Sequence, residues 1–363
     1  MSKRGRVLVA MSGGVDSSVA AVMLHEQGYE VIGITMKTWD YASAGGSSKE
    51  TGCCSLDSIN DARSLAVQYG FPHFILDIRG EFGDYVIDNF VDEYIAGRTP
   101  NPCVLCNTHI KWEALIKRAD KLDCEFIATG HYANIRLHDN GRYVISKGLD
   151  EHKDQSYVLW GVSQENLART RFPLGSFRKE EIKQMALEMG QYELANKSES
   201  YEICFVPNND YREFLRHRRP TLDDEIGPGN FLLSDGTVVG QHIGYPYFTI
   251  GQRKGLGIAL GKPVFVIEIL PESNSVVLGE EHELAKTQAF VRDINLVKYA
   301  SLEKPMEAVT KIRYKDPGAI STLIQQGNVM QVDFPHAVKG IAPGQSAVFY
   351  EGNDLIGGGF LMK

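Results

Sequence analysis

Three groups of residues in this 363-residue sequence have types and spacings that could perform chemistry. The first is a loop of glycines, serines and one aspartate at residues 12–18. The second is a set of three cysteines: Cys103, Cys106 and Cys204. The third consists of basic clusters at 212–219, 252–254 and 311–315. These residue types support phosphate binding, thiol chemistry and contact with nucleic acid, respectively.

The loop Ser12-Gly-Gly-Val-Asp-Ser-Ser18 lies between a predicted buried strand and a predicted helix. Its glycines let the backbone turn tightly, and N–H groups at a helix start bind anions. Serine hydroxyls would add donors to a phosphate, and Asp16 would contact Mg²⁺ directly or through water. A Walker loop and a Gly-x-Gly-x-x-Gly fingerprint are both missing. A capped glycine-rich turn without a ligand is the alternative, which the strand–helix context disfavours.

The loop resembles the pyrophosphate-binding loop of N-type ATP pyrophosphatases, which split ATP into AMP and pyrophosphate to adenylate a substrate oxygen. The resemblance implies that ATP is bound by eight consecutive residues: Ala10, Met11, Ser12, Gly13, Gly14, Val15, Asp16 and Ser17. It also implies that the backbone of Met36 meets the adenine and that Gly130 lines the same nucleotide. ATP and Mg²⁺ are the expected cofactors.

Two of the six cysteines lie in a stretch with two stiffening prolines, residues 97–107, that is predicted to be a loop before a helix. Cys106 would lie beside the helix start, where the dipole favours a thiolate. Cys204 could meet Cys106 only through the fold. Half of a zinc site, completed by His109 or by other cysteines, is the alternative for the Cys-x-x-Cys pair. The remaining cysteines are predicted to be inert core residues: Cys53, Cys54 and Cys124.

Seven segments, taken in order, resemble the tRNA-specific 2-thiouridylases, which place sulfur on C2 of the wobble uridine. They span essentially the whole chain: 12–18, 99–107, 128–132, 153–157, 203–205, 251–258 and 343–349. The resemblance implies that ATP adenylates the uracil C2 oxygen, so that AMP becomes the leaving group. Cys204 would carry a persulfide received from a sulfur-relay protein or a cysteine desulfurase. Cys106 would release that sulfur, leaving a Cys106–Cys204 disulfide, or would act as a companion thiol.

The same resemblance assigns the contacts with tRNA. The target base would be met by Asn101, Pro102 and Cys103. The other tRNA contacts would be His131, Lys153, Asp154, Gln155, Arg313, Tyr314 and Gln345. Of these, His131 would lie beside both the base and the nucleotide. The target base is expected to flip out, because C2 of a stacked uridine is poorly reached.

Cys103 departs from the family pattern, since many relatives carry an aspartate with an acid/base or positioning role there. A thiol does not hold a carboxylate's charge at neutral pH without help. A second hypothesis therefore remains beside persulfide chemistry. In it, Cys103, Cys106 and Cys204 ligate one [4Fe–4S] cluster whose open iron carries a sulfide.

Basic clusters outside the nucleotide loop favour contact with RNA. Four cations recur on a short predicted helix: Arg212, Arg216, Arg218 and Arg219. Residues 252–254 and 311–315 add further cations and one tyrosine. A solvated basic face is the alternative for any single cluster. The net charge of −8 excludes a generally basic nucleic-acid coat protein but not a local basic groove.

The predicted elements that must position these residues are those of an α/β protein. Strands at 7–11, 30–36, 74–78 and 125–129 alternate with helices at 16–27, 56–69, 81–96 and 107–122. This alternation predicts a doubly wound parallel sheet, which binds ligands at the carboxyl ends of its strands. Later elements are a hairpin around Asp139-Asn140-Gly141, helices at 163–169, 179–189 and 210–218, and then short strands.

The predicted architecture has three domains. They are an ATP pyrophosphatase domain at 1–206, with an adenine-nucleotide alpha-hydrolase-like parallel sheet, a small β-rich domain at 207–275 and a C-terminal β-barrel at 276–363. Linkers are expected near 205–210 and 272–285.

The chain is predicted to be cytoplasmic. It has neither a signal-peptide pattern nor an apolar run of the ~18 residues that a membrane span needs. Its cysteines are then expected to be thiols rather than structural disulfides. Two other functions remain open: an ATP pyrophosphatase acting as an amidotransferase or ligase on a small molecule, and a catalytically silent RNA-binding module. Turnover of ATP without tRNA would indicate the first, and thiouridine formation that survives loss of Cys204 the second.

Overall fold

The computed structural model describes residues 4–39, 55–197 and 203–363, and the chain folds into two compact units. The first unit contains Met1–Val86, Cys103–Asn209 and Asn353–Leu355. The second contains Ile87–Pro102, Asp210–Gly352 and Ile356–Lys363. Within the described residues, no helix is both long and apolar enough to cross a membrane.

The first unit is built on a five-stranded parallel sheet. Its strands are β1 (Arg6–Ala10), β2 (Glu30–Lys37), β3 (His73–Asp77), β4 (Phe126–Ala128) and β7 (Thr170–Arg171). They lie in the order β3-β2-β1-β4-β7, and each pair is parallel. The centre of β1 is fully buried, as expected for a strand covered on both faces. The predicted doubly wound sheet is confirmed.

Helices and one hairpin complete the chain as far as residue 209. The α-helices are α1 (Val15–Glu26), α2 (Leu56–Tyr69), α3 (Arg79–Phe82), α4 (Asp88–Ile95), α5 (Pro102–Leu105), α6 (Glu113–Lys121), α7 (Gln164–Ala168), α8 (Lys179–Glu188) and α9 (Tyr192–Asn196). Gly83–Ile87 and Cys106–Trp112 are π-helical, and Ser156–Leu159 and Pro207–Asn209 are 3₁₀ turns. The hairpin pairs β5 (Ala133–Leu137) with β6 (Tyr143–Lys147).

The helix predicted to start at residue 107 begins earlier. Helical geometry starts with α5 at Pro102 and continues through the π-helical segment into α6. Proline is well suited to a first helical position, where its missing N–H would have no intrahelical partner. The expectation that 102–106 forms a loop is therefore wrong, and both Cys103 and Cys106 are helical.

The second unit contains a four-stranded sheet with two short helices before it. These are α10 (Tyr211–Arg218), α11 (Leu222–Ile226), β8 (Gly229–Leu233), β9 (Val238–His242), β10 (Phe265–Leu270) and β11 (Ser275–Gly279), with 3₁₀ turns at Tyr245–Tyr247 and Pro271–Ser273. The strand order is β10-β11-β8-β9. The linker expected at 272–285 is wrong, because β11 is fully buried and pairs with both β10 and β8. Helix α11 lies where only strands were expected.

The C-terminal strands form the predicted β-barrel. After a 3₁₀ turn at Glu281–Leu284 come β12 (Ala285–Leu296), β13 (Met306–Lys311), β14 (Ala319–Gln326), β15 (Val329–Lys339), β16 (Ser346–Glu351) and β17 (Asp354–Leu361). The order β12-β15-β14-β13-β16-β17 closes because β12 also pairs with β17. Register shifts within β12 accompany its two pairings. Inward side chains such as Leu323, Val332 and Phe349 are completely buried.

Candidate functional site

The loop between β1 and α1 has the tight backbone that phosphate binding requires. Gly13 has φ +67°, and a Cβ at this position would lie 2.0 Å from the carbonyl oxygen of Ser58. The hydroxyl of Ser17 accepts a hydrogen bond from the Ser12 N–H (3.0 Å) and donates one to the Gly14 carbonyl (3.2 Å). Only glycine fits the second loop position, and the loop's own serine holds its shape.

The end of β4 lies directly against this loop. A Cβ on Gly130 would be 2.8 Å from the Ser17 nitrogen and 2.9 Å from the Asp16 carbonyl carbon. Met36 lies near the end of β2, half-buried, in register with Leu76 of β3. The carboxyl ends of neighbouring strands therefore bring Gly130 to the loop, as the sequence predicts. Nucleotide binding by residues 10–17, Met36 and Gly130 stays a prediction.

A buried lysine is joined to the loop's aspartate. Lys179 is 3% exposed, and its Nζ lies 2.6 Å from Oδ1 and 2.8 Å from Oδ2 of Asp16. The hydroxyl of Tyr132 also donates to Oδ1, at 2.7 Å. Both carboxylate oxygens of Asp16 thus accept hydrogen bonds. The Lys179 ammonium lies where a metal ion bound to this carboxylate would lie. The donor set around Asp16 does not fit a metal ion in this arrangement, so the structure does not support the assignment of Mg²⁺ to this residue.

A second lysine ties the loop to α2. The Nζ of Lys197 donates to the carbonyl of Gly13 (3.1 Å), the hydroxyl of Ser58 (3.1 Å) and the carboxylate of Asp61 (2.8 Å). The hydroxyl of Ser18, buried in the first turn of α1, has no hydrogen-bond partner among the described residues. Beside the loop therefore lie two ammonium groups, each paired with a carboxylate, and one hydroxyl that has no partner among the described residues.

The cysteines at 103 and 106 lie three residues apart in one helical run, which places them on the same side of the helix. Cys103 is exposed and Cys106 is half-buried. Cys204 is exposed on a turn. The next residue, Phe205, is buried and packs edge-on against Phe82, with ring centroids 5.7 Å apart. This packing anchors the turn that presents the Cys204 thiol at the surface.

The surroundings of Cys103 make its thiol a weak acid. Although its surface is exposed, protein atoms around it desolvate the group, and this raises the pKa of the Cys103 thiol. The positive charge of Lys111, on the following turns of the helical run, acts in the opposite direction. A thiol with a raised pKa is neutral at physiological pH. Cys103 therefore does not carry the negative charge that an aspartate at this position would carry.

His131 is a buried neutral imidazole. It is 8% exposed, packs against Trp112 (5.7 Å between ring centroids) and places Nδ1 2.8 Å from the Thr129 hydroxyl. Desolvation lowers the pKa of His131 well below its usual value, and the charge of Lys111 lowers it further. Such a group offers no positive charge to a phosphate. Its expected contact with tRNA stays a prediction.

The described part of the chain contains no group of three or more His, Cys, Asp or Glu side chains placed to hold a metal ion. Cys103, Cys106 and Cys204 all belong to that part, and each is a thiol rather than half of a disulfide. The structure thus does not gather them into the ligand set that an iron–sulfur cluster needs. Among the described residues, His109 and the Cys103–Cys106 pair do not form part of a zinc site either. Cys53 and Cys54, the other candidate ligands, lie outside the described residues.

The fourth described cysteine behaves as the core residue that was predicted. Cys124 is 3% exposed. Burial raises the pKa of its thiol to about 11. It is therefore protonated and unreactive at neutral pH.

The stretch expected to meet the target base is held, within the second unit, by a turn before β16. Gln345 Nε2 donates to the carbonyl of Pro100 (2.7 Å) and to that of Thr99 (3.3 Å). Asn101 donates to the hydroxyl of Ser346 (3.2 Å). Gly344 has φ +90°, and a Cβ there would lie 2.8 Å from the Thr99 oxygen. In this structure Gln345 acts as a clamp on residues 99–101.

Two other expected RNA contacts stabilise a turn in the first unit. The carboxylate of Asp154 accepts hydrogen bonds from the backbone N–H groups of Gly148 and Ser156, each at 3.1 Å. The side-chain oxygen of Gln155 accepts one from the Tyr132 N–H (3.0 Å). The neighbouring Lys153 is half-buried. Asp154 and Gln155 therefore stabilise the local structure, whether or not they also contact RNA.

The loop after β13 exposes the residues expected to contact tRNA from the barrel. The side chain of Arg313 is 60% exposed, with its Nε 3.8 Å from a carboxylate oxygen of Asp316. Tyr314 is 43% exposed. A largely exposed guanidinium beside an exposed phenol suits phosphate contact and stacking.

Known proteins are similar to this chain over nearly its whole length, as the motifs in the sequence are. Family models described as the tRNA methyl transferase HUP domain, the tRNA methyl transferase PRC-barrel domain and the aminomethyltransferase beta-barrel domain match residues 5–208, 212–280 and 286–361. The tRNA-specific 2-thiouridylase MnmA of Cytophaga hutchinsonii is 66% identical over 99% of this chain and 98% of its own length. Those of Amoebophilus asiaticus and Salinibacter ruber are 64% and 57% identical, each over 99% of this chain and over 96% and 95% of their own lengths. The chain belongs to the tRNA-specific 2-thiouridylase family.

In this 2-thiouridylase family member, three side chains that contact the loop were not predicted from the sequence: Lys179, Tyr132 and Lys197. A signal for Lys179 exists: it is the first residue of α8, where the helix dipole disfavours a cation unless an anion pairs with it. No such signal marks Lys197, whose three partners lie 136 to 184 positions away in the sequence. Lys179 and Lys197 reach the loop only because the chain folds, since both lie far from it in the sequence.

Proposed function

We propose that this chain makes 2-thiouridine in tRNA, by ATP-dependent sulfur transfer to the wobble uridine at position 34. The observation that carries the proposal is the relationship to tRNA-specific 2-thiouridylases along the whole chain, at up to 66% identity. The glycine-rich loop and the cysteines at 103, 106 and 204 belong to one compact unit, which supports the chemistry that follows.

The first step is adenylation of the base. ATP binds with its phosphates on the N–H groups of residues 12–17 and the start of α1. The C2 oxygen of the uracil attacks the α-phosphorus, and pyrophosphate leaves. Lys179 and Lys197 lie beside the loop, where their ammonium groups balance the carboxylates of Asp16 and Asp61. The phosphates therefore do not meet uncompensated negative charge at the loop. The oxygen on C2 is then part of an AMP leaving group.

The second step is sulfur transfer. The terminal sulfur of a persulfide on Cys204 attacks C2, and AMP departs with the former C2 oxygen. The Cys106 thiolate then attacks the Cys204 sulfur and breaks the S–S bond, which leaves 2-thiouridine and a Cys106–Cys204 disulfide. A thiol reductant restores both thiols. The exposed position of Cys204 suits delivery of the persulfide by a sulfur-relay protein or a cysteine desulfurase.

ATP and Mg²⁺ are the cofactors of the proposed reaction. ATP is required, and we propose that Mg²⁺ enters on the ATP phosphates rather than on a site built by the protein. No step is assigned to an iron–sulfur cluster, because the described cysteines are not gathered as ligands. Cys103 acts as a neutral thiol that positions the base. The three-domain division, with its boundaries at 206 and 275, stays a prediction.

Pyrophosphate release tests this function against other ATP pyrophosphatases. The chain, ATP and a persulfide source are mixed with or without unmodified tRNA, and with tRNA whose position 34 is cytidine. We expect AMP and pyrophosphate only with the uridine-34 tRNA. Equal release without tRNA would show that cleavage of ATP does not need an RNA acceptor, and would contradict the proposal.

A further inference from the structure

The basic helix α10 is largely neutralised by acids of its own unit. Arg216 Nε lies 2.9 Å from the carboxylate of Asp223. The guanidinium of Arg218 lies 3.2 Å from Asp88, and that of Arg219 lies 2.8 Å from Glu225. Three of the four arginines grouped by the sequence are therefore ion-paired. Their charge is not available to an anionic partner without loss of these pairs.

Arg212 differs from the other three arginines. Among the described residues, no carboxylate forms an ion pair with it. Its guanidinium lies over the rings of Phe248 (5.6 Å to the centroid) and Tyr211 (5.9 Å). It also lies next to Gly255, since a Cβ there would be 3.8 Å from Nη1. Two aromatic rings thus support this cation and place it beside the loop that follows Thr249.

The loop at residues 249–255 has a backbone conformation that is fixed by hydrogen bonds. Gly251 and Gly255 have φ +84° and +72°. The Gly251 N–H donates to the Val266 carbonyl (2.8 Å), and the Val266 N–H donates to the Gln252 carbonyl (2.9 Å), which fixes the loop to β10. The Gln252 side chain bridges the loop, accepting from the Thr249 N–H (3.2 Å) and donating to the Lys254 carbonyl (2.9 Å).

The fixed loop presents two exposed cations, Arg253 and Lys254. In the part of the chain that the structure describes, neither has an acidic partner. Together with Arg212 they form a cluster of three positive charges in a chain whose net charge is −8. We call these three residues the central basic patch. Uncompensated charge on a rigid backbone is the arrangement that gains most from a polyanion, because no internal ion pair must be broken.

We propose that the central basic patch binds backbone phosphates of tRNA, as a contact separate from those expected of Arg313, Tyr314 and residues 153–155. The patch would hold the RNA without reading its sequence, because cations meeting phosphates carry no base information. The proposal rests on the proposed tRNA substrate, and it adds the central basic patch of the second unit to the residues that contact the tRNA.

A pair of double variants with equal loss of charge tests the proposal. One is Arg253→Gln with Lys254→Gln, and the matched control is Arg218→Gln with Arg219→Gln, two ion-paired arginines of the same unit. Binding of tRNA to the full chain is measured by filter retention between low and moderate salt. For the patch variant we expect roughly tenfold weaker binding, and a log–log salt slope about 1.5 smaller in magnitude than that of the wild type. The control is expected to keep both values within about twofold of the wild type.

Turnover gives an independent readout. The patch variant should raise the KM for tRNA while kcat and the KM for ATP stay at wild-type values. Equal salt slopes for the patch variant and its control would overturn the inference while leaving the proposed function intact. A wild-type chain that does not bind tRNA at all would overturn both. Unchanged thermal midpoints of both variants would show that the fold is preserved.

Discussion

The ammonium of Lys179 lies 2.6 and 2.8 Å from the two carboxylate oxygens of Asp16, a residue 163 positions earlier in the sequence. This pair joins the start of α8 to the glycine-rich loop. The lysine is almost fully buried, whereas the carboxylate is about one-third exposed. The negative charge of Asp16 is therefore compensated by a fixed cation, which reduces the repulsion that a phosphate would meet at this loop.

A double-mutant cycle tests this pair. Lys179→Met should lower the free energy of unfolding by about 1–3 kcal/mol, since it leaves Asp16 unpaired but still partly solvated. Combined with Asp16→Asn it should show a coupling energy of about 1–2 kcal/mol. Urea unfolding measures both quantities. Lys183→Met, at an exposed site on the same helix, is the control and should change little. A coupling energy near zero would show that the two groups do not stabilise each other.

Stability should fall in mild acid because three histidines are desolvated in the folded chain. Desolvation lowers the pKa of His73, His131 and His242. Below about pH 6.5 these histidines bind protons in the unfolded chain but not in the folded chain. The folded state therefore loses stability as the pH falls toward the lowered pKa values. Each histidine contributes at most about 1.4 kcal/mol per pH unit.

Urea unfolding at pH 7.5 and pH 5.5 measures this loss. His131→Asn keeps an acceptor or donor toward Thr129 but does not titrate, so it should shrink the difference between the two pH values by about 1 kcal/mol. The same difference in the variant and the wild type would mean that His131 does not resist protonation in the folded chain.

Gln345 should matter for tRNA rather than for ATP. Its side chain is the clamp on Thr99 and Pro100, next to the expected base-contact residues. Gln345→Ala should raise the KM for tRNA several-fold, leave the KM for ATP unchanged and lower the free energy of unfolding by about 1 kcal/mol. Gln326→Ala, on an exposed part of the same barrel, is the matched control. A rise in the KM for ATP instead would place Gln345 in the nucleotide site.

The thiols should differ in reactivity according to their surroundings. In the native chain, iodoacetamide followed by peptide mass spectrometry should label the exposed Cys204 well before the buried Cys124, whose thiol pKa of about 11 keeps it protonated. Cys124→Ala should retain full thiolation activity. Equally fast labelling of Cys124 would show that its part of the core opens to solvent.

Elements marked by local signals could be predicted from the sequence. The helix at 56–69 is confirmed because Ser55 caps its start and Gly70, with φ +74°, ends it. The hairpin around Asn140-Gly141 is confirmed for a similar reason, since Gly141 has φ +80°. The helical turns at Pro102 were missed because a proline that stiffens a loop and one that starts a helix look alike in sequence.

The candidate site was predictable only in part. Strand ends and glycines place the loop and Gly130 together, because both follow from the parallel sheet. The side chains that join the loop from far along the chain, Lys179 and Lys197, depend on tertiary packing that no local pattern encodes. The ion pairs that neutralise Arg216, Arg218 and Arg219 were hidden for the same reason, although the arginines themselves were recognised.

Nucleoside mass spectrometry of tRNA incubated with the chain, ATP and a persulfide source tests the central claim most directly. The account predicts 2-thiouridine at position 34 with the wild type, and none with Cys204→Ser or Cys106→Ser, whereas Cys124→Ala matches the wild type. Full 2-thiouridine formation by Cys204→Ser, or its absence with a folded wild-type chain under these conditions, would contradict the account.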